Sequence, residues 1–212
     1  MTAAAKICGL KTPETIAAAV EGGAAYIGFN FYPPSPRSVT PDAAARLSAS
    51  VPPTVSKVAL VVDADDALIN QIAETLAPDI LQLHGKETPE RVVAIKARTG
   101  RPVMKVLAIA TPDDVLKARA YEPVADLLMF DAKPPPGGLP GGNGLPFDWK
   151  LLKDAGWSLP WMLAGGLTPE NVGEAIRSTG AAIVDVSSGV EDQPGVKSSE
   201  KIRRFLAATR RS

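Results

Sequence analysis

Short apolar runs alternate with longer amphipathic stretches along the whole chain. The runs are Ala5 to Cys8, Tyr26 to Phe31, Lys57 to Val62, Ile80 to Leu83, Val103 to Leu107, Leu127 to Phe130, Trp161 to Leu163 and Ile183 to Val186. Their nearly continuous apolar character predicts strands of a parallel sheet covered by helices. Between them the string Thr-Pro-acid recurs five times, at Thr12, Thr40, Thr88, Thr111 and Thr168. Each is a helix start: the threonine hydroxyl accepts from an orphan N–H, proline wastes no donor at the first helical position, and the acid meets the positive end of the dipole. The spacings of 28, 48, 23 and 57 residues leave two gaps of about double length, and each hides one further helix start, at Asp65 and at Asp148 in DWKLLKDA. A last helix, SSEKIRRFLAATRR, brings the expected number to eight. Eight β/α units in 212 residues predict a single domain over 1–212, a (β/α)8 TIM barrel with parallel strands. An open doubly wound sheet is the competing architecture, but it usually has fewer strands and a GxGxxG first turn, which KICGLKT is not.

Composition narrows the function classes. Lys plus Arg and Asp plus Glu each number 23, so no basic excess is present to neutralise a polyphosphate, and nucleic acid is not an expected partner. No run approaches the ~20 apolar residues of a membrane span, and the N-terminus lacks a signal-type apolar stretch. No membrane association is expected, and the cytoplasm is the expected location. One cysteine and one histidine make neither an internal disulfide nor a common zinc set, so Cys8 is read as a free thiol and no metal is expected. Nothing in the pattern specifies an oligomer, and a monomer is the expectation.

In a TIM barrel the chemistry sits at the C-terminal ends of the strands. AGGLTPENV and DVSSGVE place Gly165, Gly166, Ser187, Ser188 and Gly189 after the last two strands. Glycine backbone N–H groups, serine hydroxyls and a helix N-terminus there suit a phosphate, so a phosphorylated small molecule is the expected ligand; the plain alternative is a pair of tight turns. Cys8 ends the first strand. An unpaired cysteine is often a small buried hydrophobe, yet a thiol with a reference pKa of about 8.5 needs only a modest electrostatic push to act as base or nucleophile. Asp131 ends LLMFD and is open to three readings: a helix cap, the partner of Lys133, or a proton donor at the rim of an apolar barrel. Arg37 lies in a loop stiffened by three prolines, FYPPSPRSV, and is either a carboxylate ligand or a solvated surface cation. His84 in LQLHG is a substrate contact or a polar cap on its strand. Asp63 is assigned to the start of the next helix region. The Gly- and Pro-rich stretch KPPPGGLPGGNGLPFDW reads as a lid rather than a minimal connection.

Taken together, KICGL, GFNFYPPSPRSV, LQLHG, the stretch from LLMFDAK through GGNG to FDW, LAGGLTPENV and DVSSGVEDQPGVKS resemble the phosphoribosylanthranilate isomerase family of tryptophan biosynthesis, in that family's order. The resemblance implies a cofactor-free Amadori rearrangement of N-(5-phosphoribosyl)anthranilate to 1-(2-carboxyphenylamino)-1-deoxyribulose 5-phosphate. It places the general base at Cys8, the general acid at Asp131, the anthranilate side at Arg37, the phosphate at Gly165, Gly166 and Ser187 to Gly189, and the sugar near Asp185. The departure lies in Gly141-Gly142-Asn143-Gly144-Leu145, where the family pattern leads one to expect a small hydroxyl residue and a later basic or polar one. Two rivals remain at this stage: the related aldose–ketose isomerase of histidine biosynthesis, expected to carry carboxylates in both catalytic places, and a non-catalytic phosphosugar-binding barrel.

Overall fold

Eight parallel strands close on themselves in sequence order: β1 (Ala4–Cys8), β2 (Tyr26–Asn30), β3 (Ser56–Val61), β4 (Ile80–Leu83), β5 (Val103–Ile109), β6 (Leu127–Ala132), β7 (Trp161–Leu163) and β8 (Ile183–Val186). The ring is sealed by β1 against β8, with Ala4 opposite Ile183 and Ile7 opposite Val186. This computed structural model describes residues 2–133, 141, 148–153 and 155–210. The (β/α)8 barrel expected from the sequence is therefore the fold.

The helices are α1 (Pro13–Glu21), α2 (Pro41–Ser48), α3 (Asp66–Thr75), α4 (Pro89–Thr99), α5 (Pro112–Ala118), α6 (Val172–Thr179) and α7 (Ser199–Thr209). Thr12, Thr40, Thr88 and Thr111 each accept from the backbone N–H three residues on, with proline in the first turn, as the repeated triplet predicts. Asp65 caps α3 in the same way. Two expectations need correction. The triplet at Thr168 forms a preliminary turn, with Glu170 N–H donating to Thr168 Oγ1, and α6 itself starts at Val172. Asp148 caps only a four-residue 3-10 turn, Trp149–Leu152, so seven α-helices rather than eight are found among the described residues. The lid reading falls on 134–140 and 142–147, outside the described residues.

Strand alternation sorts side chains into two cores. Outward positions such as Ile7, Ile27, Phe29, Leu81, Leu128, Phe130 and Val184 pack against the helices in one continuous buried layer. Inward positions form a second cluster of Val58, Met104, Val106, Leu127, Met129, Met162 and Ala164. Each fully buried side chain of this size contributes about 1.5–3 kcal/mol relative to exposure. The inward layer is apolar around Val58 and Met129, whereas toward the C-terminal ends of the strands it turns polar. A site is built there.

Candidate active site

A cavity at the C-terminal mouth is lined by Cys8, Asn30, Arg37, Gln82, His84, Asp131, Asp185 and Ser187, among others. The strands β1 and β6 lie three places apart round the closed ring, so Cys8 and Asp131 face the cavity from nearly opposite sides. Both are buried, at 4% and 8% exposure, and both line the cavity.

Cys8 pairs in register with Gly28 of β2. A Cβ on Gly28 would lie 3.0 Å from the thiol Sγ and 3.1 Å from Lys6 Nζ, so glycine is what leaves room for both. Lys6 is wholly buried and its ammonium bonds Asp185 Oδ1 at 2.7 Å. Burial pushes the Cys8 thiol above its ordinary value, although Lys6 pulls it back. An electrostatic push of the kind the thiol needs is present, from Lys6, and is outweighed by desolvation. For Lys6, burial works downward, but Asp185 and Cys8 together more than offset it and raise its pKa.

Asp131 is the penultimate residue of β6, and each of its two oxygens has a neighbour. Oδ1 accepts from Ala132 N–H at 2.8 Å, and a Cβ on Gly165 would lie 3.2 Å from it. Oδ2 lies 3.3 Å from His84 Nε2, with Gly141 pressed against both groups. Neither plain alternative for Asp131 holds. Among the described residues it caps no helix, and Lys133 reaches Asp114 instead. His84 thus faces the carboxyl, while its Nδ1 lies 3.4 Å from the buried amide of Gln82.

Arg37 is no free surface cation: Nε and Nη2 each hold a Glu191 oxygen at 2.8 Å, and the side chain borders the cavity. Glu191 begins a hairpin of β9 (Glu191–Gln193) and β10 (Val196–Lys197) that folds back over loop 8. Lys197 Nζ, also buried, bonds Glu191 Oε1 at 2.6 Å and Ser187 O at 2.9 Å. Burial alone would raise the Glu191 pKa, but Arg37 and Lys197 hold it below the ordinary carboxylate value. Burial, opposed by Glu191 and Cys8, lowers that of Lys197.

The two loops after β7 and β8 form one unit. Gly165 and Gly166 have φ of 84° and 66°, which only glycine adopts freely, and Gly189 lies so close to loop 7 that a Cβ there would sit 1.9 Å from Leu167 O. Ser188 to Val190 form a short 3-10 turn, the kind of extra helical N-terminus that barrels set beside a phosphate. Asp63 is not in a helix: it has φ of 46° and accepts from Lys86 N–H at 2.6 Å, tying loop 3 to loop 4. Lys6, Gln82, Glu191 and Lys197 belong to the constellation but were not singled out from the sequence. Lys6 and Gln82 carry a readable sign, a polar residue at the inward parity of an apolar strand.

Comparison with known proteins decides the lineage. The family model described as N-(5'phosphoribosyl)anthranilate (PRA) isomerase matches residues 5–208. The chain belongs to this family. The N-(5'-phosphoribosyl)anthranilate isomerase of Parvibaculum lavamentivorans is 56% identical over 100% of both chains, and that of Paracoccus denitrificans 55% over 98% of this chain and 97% of its own. Among solved structures, the phosphoribosyl anthranilate isomerase of Thermotoga maritima superposes with a TM-score of 0.88 at 34% identity, covering 99% of this chain and 100% of its own. Another, crystallised in complex with reduced 1-(o-carboxyphenylamino)-1-deoxyribulose 5-phosphate, gives 0.85 at 32% identity, covering 99% and 100%. The chain is thus an isomerase of tryptophan biosynthesis, as the resemblance implied, and neither the histidine-pathway enzyme nor a non-catalytic barrel is favoured.

Proposed function

We propose that this isomerase works by proton transfer between Cys8 and Asp131 across one phosphorylated sugar. The observation that carries the assignment is the placement of a thiol and a carboxyl on opposing strands of a single cavity mouth. Asp131 donates to the furanose ring oxygen as the C1–O bond breaks, and the nitrogen lone pair forms the C=N bond of a cationic Schiff base. The Cys8 thiolate then takes the C2 proton. That C–H pair becomes the C1=C2 bond and neutralises the nitrogen, and the enolamine becomes the ketone as a proton leaves the C2 hydroxyl and one arrives at C1. The nascent cation next to Sγ favours the thiolate at the moment it is needed, against the desolvation that burial imposes. Two groups of opposite protonation state, held on opposite flanks, meet what such a sequence requires.

On this reading the phosphate lies on the N–H groups of Gly165 and Gly166 and on loop 8 from Ser187 through Ser188 to Gly189. Arg37, anchored by Glu191, offers its remaining N–H groups to the anthranilate carboxylate. His84 contacts substrate beside Asp131, and Asp185 holds the sugar. The whole of 1–212 acts as one domain in the cytoplasm; no helix among the described residues is long and apolar enough to cross a membrane. A monomer fits the scatter of Val93, Leu116 and Val196, exposed on three different elements.

Rescue of a tryptophan auxotroph that lacks the isomerase tests the assignment. The unaltered chain is expected to restore growth and Cys8→Ser, at low expression, to fail; full rescue by Cys8→Ser would contradict the base role. Gly189→Ala tests the phosphate cradle. Overpacking against Leu167 O is expected to cost about 1–3 kcal/mol of stability and, by pushing the two loops apart, to raise KM more than it lowers kcat. Steady-state kinetics reads that split.

A further inference from the structure

A lysine with no exposed surface in the middle of a barrel needs a reason. Lys6 stands two residues before Cys8 on β1, so both side chains enter the barrel interior, and its side chain is 0% exposed. Withdrawing an ammonium from water costs several kcal/mol, and a buried ion pair is often matched or bettered in stability by apolar side chains of similar volume. The inward layer supplies that kind of packing at Val58, Met104, Met129 and Met162. Stability alone therefore does not account for Lys6.

We infer that Lys6 is a positioning residue for the base: its ammonium, anchored by Asp185, donates to Cys8 Sγ and holds the thiolate at the carbon that loses its proton. The inference deepens the base role given to Cys8 and rests on it. Sγ and Nζ flank the same space over Gly28, 3.0 and 3.1 Å from where a Cβ would stand, and Asp185 Oδ1 fixes the ammonium from β8. The groups around Cys8 are Lys6 on its own strand, Asp185 on β8, Lys197 on the hairpin with Glu191 bonded to it, and Arg37 lining the same cavity from after β2, while His84 and Asp131 lie across the cavity. On the near side three cations, Lys6, Arg37 and Lys197, meet two carboxylates, Asp185 and Glu191. That leaves one positive charge, which a thiolate balances. Lys6 keeps its own proton throughout: Sγ receives the substrate proton, and the ammonium remains bound to Asp185.

Cys8 is the only cysteine, so the pH dependence of iodoacetamide alkylation reports on it alone. In Lys6→Met the alkylation midpoint is expected to rise by about one to three pH units, and kcat to fall about tenfold for each unit of lost thiolate, with KM little changed. Because that variant strands a buried carboxylate, the double change Lys6→Met with Asp185→Asn is measured beside it and is expected to give a smaller rise in the same direction. In the unmodified protein, the nitrogen resonance of the Lys6 ammonium is expected to step with Cys8 ionisation and to lose that step in Cys8→Ser. An unmoved midpoint in a folded variant, or a lysine resonance indifferent to Cys8, overturns the inference. The base role fails separately, if Cys8→Ser keeps its activity; an inactive Cys8→Ser with an unmoved midpoint in Lys6→Met removes only the role of Lys6.

Discussion

Asp131→Asn and Cys8→Ser are each expected to lose at least ~10²-fold in turnover, the usual scale for a general acid or base, with the fold intact. Asparagine keeps the shape of Asp131 and can still meet Ala132 N–H and His84, but it carries no transferable acid proton. Serine keeps the size of Cys8, yet its hydroxyl does not ionise near neutral pH, and Lys6 is left with Asp185 alone. Because both groups act only as bonds to hydrogen break and form, kcat and kcat/KM should fall together while KM changes little. The pH dependence supplies an independent check. Burial raises the Cys8 pKa, so in the unaltered enzyme kcat/KM is expected to climb with pH as the thiolate forms, over a range above that of an ordinary thiol. Cys8→Ser should lack that climb. A serine variant that retains it would move the base elsewhere.

The fold was legible because its signals are local. A Thr-Pro-acid triplet acts within one helical turn, and four of the five helices so announced begin where the triplet stands. DWKLLKDA was misread because Trp149, Leu151 and Leu152, three of four successive side chains, all pack into the core. The segment closes as a single 3-10 turn, capped by Asp148, which a sequence pattern does not distinguish from the first turn of an α-helix. The members of the site that end a strand were equally legible, since topology alone sends Cys8, His84 and Asp131 to one mouth. Their partners were not. Lys6 meets Asp185 across 179 residues of sequence and Arg37 meets Glu191 across 154, and no local pattern reveals such pairs. The pairing changes the chemistry: the loop arginine read as a carboxylate ligand or a solvated cation is gripped on one edge by Glu191, and the thiol read as needing only a modest push is desolvated.

Lys105→Met is expected to destabilise the enzyme by about 3–5 kcal/mol, the range for removing one partner of a buried ion pair. Thermal unfolding should begin roughly 6–20 °C lower in a chain of this size. Lys105 lies on the outer face of β5, where its side chain is 2% exposed and bonds Glu87 Oε2 at 2.7 Å, Gly85 O at 2.8 Å and Leu83 O at 3.3 Å. Glu87 in turn accepts from Asp63 N–H at 2.9 Å and from Gly85 N–H through both oxygens. One ion pair therefore satisfies the backbone of two adjoining loops, one of which starts at His84. Methionine fills the volume but leaves the carbonyls of Leu83 and Gly85 short of a donor and Glu87 short of a cation. Glu87→Gln is the informative contrast. Its amide oxygen still accepts from Asp63 and Gly85, but its NH2 replaces the acceptor 2.7 Å from Lys105 Nζ and leaves that buried ammonium without its carboxylate. Its loss should therefore be of the same order as that of Lys105→Met, whereas a clearly smaller loss would mean that backbone satisfaction, not charge, is what the cluster supplies. Because Gly85 follows His84 directly, loosening the cluster should also lower kcat in protein that remains folded, and should do so less than Asp131→Asn, which removes the proton itself.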